Sequence, residues 1–190
     1  MSNAFELRGK RVLVVGLART GVATALFCAA RGAKVTATDT RTENEVGEAI
    51  LSLRTSGVNL ELGGHHEKTF LEQDLIIPSP GVPADAPLLQ AARAKGITIW
   101  SEVELADRFL NGRLIGITGS NGKTTTTSLI EHILRNAGFS TILAGNIGTP
   151  LISLVDKTTD GTVTVVEVSS FQLELIETFR PDIKIGRAHV

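Results

Sequence analysis

Short apolar runs alternate along the chain with stretches of helical periodicity, and the runs end on glycine, proline or an acid. Arg11-Val-Leu-Val-Val-Gly16, Lys34-Val-Thr-Ala-Thr-Asp39, Asp74-Leu-Ile-Ile-Pro78 and Thr162-Val-Thr-Val-Val-Glu167 have the length and β-branched content of buried strands. Val58-Asn-Leu-Glu-Leu62, Ile97-Thr-Ile-Trp100 and Ser140-Thr-Ile-Leu-Ala144 are further strand signals, and Leu114, Ile115 and Ile117 lead into a glycine-rich turn. Between them the pattern predicts helices over Val22 to Ala30, Glu43 to Ser56, Pro87 to Lys95, Ser101 to Phe109 and Lys123 to Ala137. Gly57, Gly96 and Gly138 stand at three of the helix ends, and Ser101 with Glu104 reads as a capping box. Strands alternating with helices predict an α/β protein with parallel sheets. The turn Asn111-Gly112 divides it into domains over residues 1–111 and 112–190.

Composition narrows the function classes. Of the 190 residues 42% are hydrophobic and 21% charged, as in ordinary globular proteins. A net charge of −1 gives no electrostatic case for nucleic acid or an anionic membrane as partner. The single cysteine, Cys28, sits in an apolar helical run, which excludes a disulfide framework and fits a reducing compartment. Met1-Ser-Asn-Ala-Phe-Glu6 has no basic region and no apolar core of the signal-peptide kind, and no apolar run reaches the roughly 18 residues of a membrane span. A cytoplasmic protein is expected. His65 and His66, adjacent in a glycine turn, read as a solvated turn rather than a metal site.

Two turns carry the chemistry. Gly16-Leu-Ala-Arg-Thr-Gly21 joins a strand to a helix, and Asp39 ends the next strand, the arrangement of a Rossmann-like phosphate turn. Its second glycine position is Ala18, which argues against NAD in the standard pose. Ser79-Pro-Gly-Val-Pro83 is a rigid loop at the same sheet edge. The second turn, Thr118-Gly-Ser-Asn-Gly-Lys-Thr124, is a shortened P-loop in which Ile117 occupies the usual first-glycine position. Backbone N–H groups at a helix N-terminus, the Lys123 charge and the Thr124 hydroxyl together suit phosphates and a magnesium ion. Glu167 at the end of its strand is the Walker-B type partner for that ion. The first turn lacks a lysine.

Thr118-Gly-Ser-Asn-Gly-Lys-Thr124, Gly145-Asn-Ile-Gly148 and Glu167-Val-Ser-Ser-Phe-Gln-Leu-Glu174, with Ser79-Pro-Gly81 upstream, resemble the Mur ligases over about Lys10 to Pro181. The first turn and the Glu167 segment favour the branch that joins D-glutamate to UDP-N-acetylmuramoyl-L-alanine. The resemblance implies a Rossmann-like UDP-binding domain followed by a P-loop ATP-binding domain, incomplete at its C-terminus. It implies that Arg19 and Thr20 line the diphosphate, that Asp39 and Arg41 meet the uridine, and that Ser79, Pro80 and Gly81 close around it. Gly119, Ser120, Asn121, Gly122, Lys123, Thr124 and Thr125 would wrap the ATP phosphates, and Asn146 would touch the muramoyl group. Thr124 and Glu167 would bind Mg2+, with Lys123 and Glu167 as the catalytic pair. The implied reaction runs through an acyl phosphate in peptidoglycan precursor synthesis, in a protein that is a monomer when full length.

Family members continue after Arg180-Pro-Asp-Ile with an Asn-x-x-x-Asp-His segment, a modified lysine and a third domain. Neither His189 nor Lys184 matches those positions, so the chain reads as a fragment, inactive alone, whose second sheet exposes an unpaired edge. Other readings remain open. A nicotinamide-dependent oxidoreductase would explain Gly16 to Asp39 and leave Lys123 and Glu167 unused. A GTPase switch would need an Asn-Lys-x-Asp segment, which the sequence lacks. Folylpolyglutamate synthase shares the P-loop but not the first domain, and a non-catalytic nucleotide-binding module fits the short chain.

Overall fold

A computed structural model describes residues 5–146 and 148–186. His189 lies outside the described residues. The chain divides into two compact units, Met1–Glu102 and Val103–Val190.

The first unit runs β1 (Arg11–Val15), α1 (Arg19–Ala30), β2 (Lys34–Asp39), α2 (Glu43–Val46), α3 (Ala49–Thr55), β3 (Asn59–Leu62), α4 (Glu67–Leu71), β4 (Leu75–Pro78), α5 (Pro87–Ala94) and β5 (Thr98–Ile99). Its sheet is parallel in the order β3-β2-β1-β4-β5. The two apolar runs read as buried strands, β1 and β4, are central, and Val12 to Val15 and Leu75 to Ile77 are almost inaccessible. Leu13, Val15 and Ile76 turn to one face and pack with Phe70 of α4 and Leu89 and Ala92 of α5.

The helix expected over Glu43 to Ser56 is two helices. Gly47 adopts φ 75° between them, and Glu45 folds back on the Thr42 amide and hydroxyl at 2.7 Å to cap the first. Helix α1 starts at Arg19, earlier than the expected Val22, so Arg19 and Thr20 lie in its first turn. The helix α4 follows the histidine turn unannounced, since five residues carry no periodic signal.

The second unit contains α6 (Glu102–Asp107, its first residue at the boundary), β6 (Arg113–Ile117), α7 (Lys123–Asn136), β7 (Ser140–Gly145), two 3-10 turns (Leu151–Ser153 and Val155–Lys157), β8 (Thr162–Glu167), α8 (Ser170–Leu173) and β9 (Ile183–Ile185). Its parallel sheet has the order β7-β8-β6-β9, with every residue of β8 buried. Ile115, Ile117, Val163 and Val165 form its core, covered by Ile130 and Leu134 of α7. Strand β9 pairs with β6 on one side and exposes Ile183 and Ile185, an open edge among the described residues. The boundary falls at Glu102 rather than at the expected Asn111-Gly112. The physical reason is Glu104, whose carboxylate accepts the backbone N–H groups of Glu177, Thr178 and Phe179 and so ties α6 into the second unit.

Candidate functional site

Parallel register sets Ile117, Gly145 and Glu167 side by side at the carboxyl ends of β6, β7 and β8. From Ile117 the chain enters the loop, where Gly119 has φ 140° and Gly122 is left-handed at φ 79°. Gly122 is the N-cap of α7 and supplies no side chain, so α7 presents its first backbone N–H groups to the loop. Lys123 Nζ folds back to the carbonyls of Gly119 (2.7 Å) and Ser120 (3.3 Å). Thr124 Oγ1 donates to Glu167 Oε2 at 2.7 Å, and the Asn146 amide Nδ2 donates to Glu167 Oε1 at 3.3 Å.

Asn146 is held there by its own backbone, whose N–H donates to the Glu167 carbonyl at 2.9 Å. Gly145 makes this possible. A Cβ at that position would lie 2.2 Å from the Glu167 carbonyl oxygen, so only glycine lets the two strand ends approach. The fold thus gathers Thr124 and Asn146 on the Glu167 carboxylate, with Lys123 folded onto the carbonyls of the neighbouring loop and Ser120, Asn121 and Thr125 on that loop and helix start. Glu167 is only 2% exposed.

The donor set suits a small hard cation. Thr124 Oγ1 and Glu167 Oε2 are neighbouring oxygens at the N-terminus of α7, and magnesium is commonly held by one or two protein oxygens completed by phosphates and water. No group of three or more His, Cys, Asp or Glu that could cage a metal occurs among the described residues. A cation here would therefore share its coordination with a ligand. Next to the loop lies a cavity of about 630 Å³, bordered by Gly119, Ser120, Val168, Leu173, Phe179 and Pro181.

In the first unit Gly16 turns the chain at φ 88°, and no side chain caps α1 at Ala18. Gly21 is required by packing, because a Cβ there would lie 1.8 Å from the Gly16 carbonyl oxygen. Asp39 accepts the Leu17 N–H at 2.6 Å and the Arg41 N–H, Nε and Nη2 at 2.9, 3.1 and 2.8 Å. Hydrogen bonds from the Arg41 guanidinium, working against burial, hold its carboxyl down at about 2. Asp39 therefore ties the turn after β1 to the Arg41 side chain. Ser79 is buried, its N–H on the Val15 carbonyl and its hydroxyl on the Gly16 carbonyl, both at 2.8 Å. Pro80 and Gly81 follow in a turn closed by Val82 N–H on the Ser79 carbonyl.

Gly81 shares a cavity of about 360 Å³ with Gly16, Asp39, Thr40 and His65. Sequence reasoning gave His65 no part here. His65 is half-buried rather than in a solvated turn, with Nδ1 at 2.8 Å from the Thr38 hydroxyl and its ring edge-on to Phe70. Its signal was its place in the short loop after β3, at the sheet's carboxyl edge. Cys28 is buried, and burial pushes its thiol up to about 12, which makes it packing rather than a nucleophile.

Two family descriptions match this sequence: Mur ligase MurD-like, N-terminal domain, over residues 10–101, and Mur ligase middle domain, over residues 117–188. The chain belongs to the Mur ligase family. Among curated Mur ligases it is 53% identical over 178 residues to the UDP-N-acetylmuramoylalanine–D-glutamate ligase of Koribacter versatilis, covering 94% of this chain and 39% of that protein. To the enzyme of the same name from Geotalea daltonii it is 52% identical over 180 residues, covering 95% and 40%. The chain thus spans about two-fifths of the length of these relatives. The fold is also that of solved Mur ligases. A UDP-N-acetylmuramate:L-alanyl-gamma-D-glutamyl-meso-diaminopimelate ligase from Neisseria meningitides superposes with TM-score 0.55 at 17% identity, over 93% of this chain and 59% of that one. A UDP-N-acetylmuramate–alanine ligase from Thermotoga maritima gives 0.51 at 24% identity, over 93% and 41%. Among the described residues no helix is long and apolar enough to cross a membrane.

Proposed function

We propose that these residues are the nucleotide-substrate-binding and ATP-binding parts of a cytoplasmic, monomeric ligase. It joins D-glutamate to UDP-N-acetylmuramoyl-L-alanine at the expense of ATP, in peptidoglycan precursor synthesis. The observation that carries this reading is the convergence of Thr124 and Asn146 on Glu167 at the ends of three parallel strands, beside the loop onto which Lys123 folds.

The reaction pairs two anions, a substrate carboxylate and a triphosphate. The carboxylate attacks the γ-phosphorus, the bond to ADP breaks, and an acyl phosphate forms. The D-glutamate amine then attacks the acyl carbon, loses a proton, and phosphate leaves. Gly119 to Thr125 surround the ATP phosphates with N–H groups, and Lys123 exchanges the Gly119 and Ser120 carbonyls for phosphoryl oxygens. Thr124 and Glu167 would hold a magnesium ion, which when bound would supply positive charge to the phosphoryl oxygens. Asn146, anchored to Glu167, meets the muramoyl end of the nucleotide. In the first unit Arg19 and Thr20, at the N-terminus of α1, take the diphosphate, while Arg41, aimed by Asp39, and the loop Ser79 to Gly81 take the uridine.

Calorimetry on the 190-residue chain tests the reading. Both UDP-N-acetylmuramoyl-L-alanine and ATP with magnesium are expected to bind, and Lys123→Ala is expected to weaken ATP at least about tenfold while leaving the UDP ligand within about twofold. Binding of NADH in place of the UDP ligand would sink it. Because the relatives are far longer, this chain alone is expected to bind without D-glutamate-dependent phosphate release.

A further inference from the structure

Glu104 is wholly buried, yet both its oxygens are engaged. Oε2 accepts the backbone N–H groups of Glu177 (2.8 Å), Thr178 (2.9 Å) and Phe179 (2.7 Å). Oε1 accepts the Thr178 hydroxyl at 2.8 Å and Arg108 Nε and Nη2 at 3.1 and 2.7 Å. Three successive N–H groups converging on one oxygen make an anion nest, and its occupant is a side chain from α6. Burial opposes ionisation of this carboxyl, but the hydrogen bonds outweigh it and hold it below its usual range.

What the nest fixes is a wall beside the phosphate loop. Phe179 and Pro181 border the same cavity as Gly119 and Ser120. Pro181 also lies directly on the strand that feeds the loop, since a Cβ at Gly116 would come within 2.8 Å of its Cγ. Asp182 closes the contact by accepting the Leu114 N–H at 2.8 Å. The segment from Glu177 to Asp182 is therefore clamped between α6 on one side and β6 on the other.

We propose that Glu104 is a positioning residue for nucleotide binding: by seating the 177–179 nest it sets the Phe179–Pro181 wall against Gly119 and Ser120. Its ligand rests on the ATP reading above, while its mechanical part does not. The carboxylate touches no reacting atom and acts through the wall alone.

The test compares Glu104→Gln, which keeps size but loses the charge and turns one of the two acceptor oxygens into a donor, and Thr178→Val, which removes one donor. Hydrogen–deuterium exchange is followed at amides 177–179 and 119–122, with titrations of a fluorescent ATP analogue and of UDP-N-acetylmuramoyl-L-alanine. Expected in Glu104→Gln are faster exchange at both segments, an ATP Kd raised about tenfold and a UDP-ligand Kd within about twofold, with a smaller change of the same kind in Thr178→Val. Faster exchange confined to 177–179, with the ATP Kd unmoved, would show a merely structural clamp and overturn the proposal. If the unaltered chain binds no ATP, the ATP reading fails, and exchange at 119–122 alone decides this one. If Glu104→Gln does not fold, Thr178→Val decides it by the same two readouts.

Discussion

Asp39 and Asp107 have the same side chain and are driven in opposite directions by their surroundings. The Arg41 guanidinium, with the N–H groups of Arg41 and Leu17, overcomes burial and holds Asp39 down at about 2. A depressed carboxyl contributes stability that is present above its unfolded value near 3.8 and is lost as pH falls through about 2. Asp107 is pushed up to about 6, by burial first and the Glu104 charge second. Its folded form holds the proton more tightly, so stability falls as pH rises from about 3.8 to about 6 and stays level above. Asp39→Asn is accordingly expected to lower the unfolding free energy more at pH 7 than at pH 2.5, by on the order of 1–2 kcal/mol at pH 7, given that Arg41 is partly solvent-screened. Asp107→Asn is expected to raise the unfolding free energy at pH 7.5 by about 1–2 kcal/mol and to leave it nearly unchanged at pH 3.5. Thermal melts across that range check both, and the same sign at the two positions would refute the assignment. The motif residues were legible because their signal is local: Lys123 and Thr124 follow the glycines of their own loop. The role of Glu104 was not, since a spacing of three residues from Ser101 suggests a cap while its nest partner Glu177 lies 73 positions on.

At the scale of elements, strands were read more surely than helices, and the reason is burial. β1, β2, β4 and β8 are continuous apolar or β-branched runs because parallel strands are covered on both faces. Helix limits depended on contacts that no local pattern shows. Helix α1 begins at Arg19 because Gly21 lets its first turn lie against the Gly16 carbonyl, and Gly47 splits what composition joins into one helix. The close approach at Gly21 makes a sharp prediction. A methyl group 1.8 Å from the Gly16 oxygen cannot be accommodated without moving the helix, so Gly21→Ala is expected to destabilise the first unit by on the order of 2–3 kcal/mol. It should also abolish binding of the UDP ligand while ATP binding, built on a different sheet, persists. Parallel calorimetric titrations with the two ligands measure this, and equal loss of both would contradict the separation of the sites.

For the whole molecule the decisive property is that two sheets each own a strand–glycine–helix turn, the place where the proposed reading puts phosphates. Duality was visible in the sequence as two strand–glycine–helix signatures. The position of the division was not, because α6 follows the first unit in sequence but is bonded to the second. Each unit has its own buried core, Leu13, Val15 and Ile76 in one and Ile115, Val163 and Val165 in the other, so each has grounds to unfold as its own cooperative body. A ligand that binds only the folded form of one unit stabilises that unit by about 2.7 kcal/mol at 100 times its Kd. Scanning calorimetry of the chain is therefore expected to resolve two transitions. UDP-N-acetylmuramoyl-L-alanine should raise one and ATP with magnesium the other, and Lys123→Ala should cancel only the second shift. A single transition raised equally by either ligand would mean that the two cores unfold together, and the site at Glu167 would then have to be treated as part of one cooperative body with the turn at Gly16.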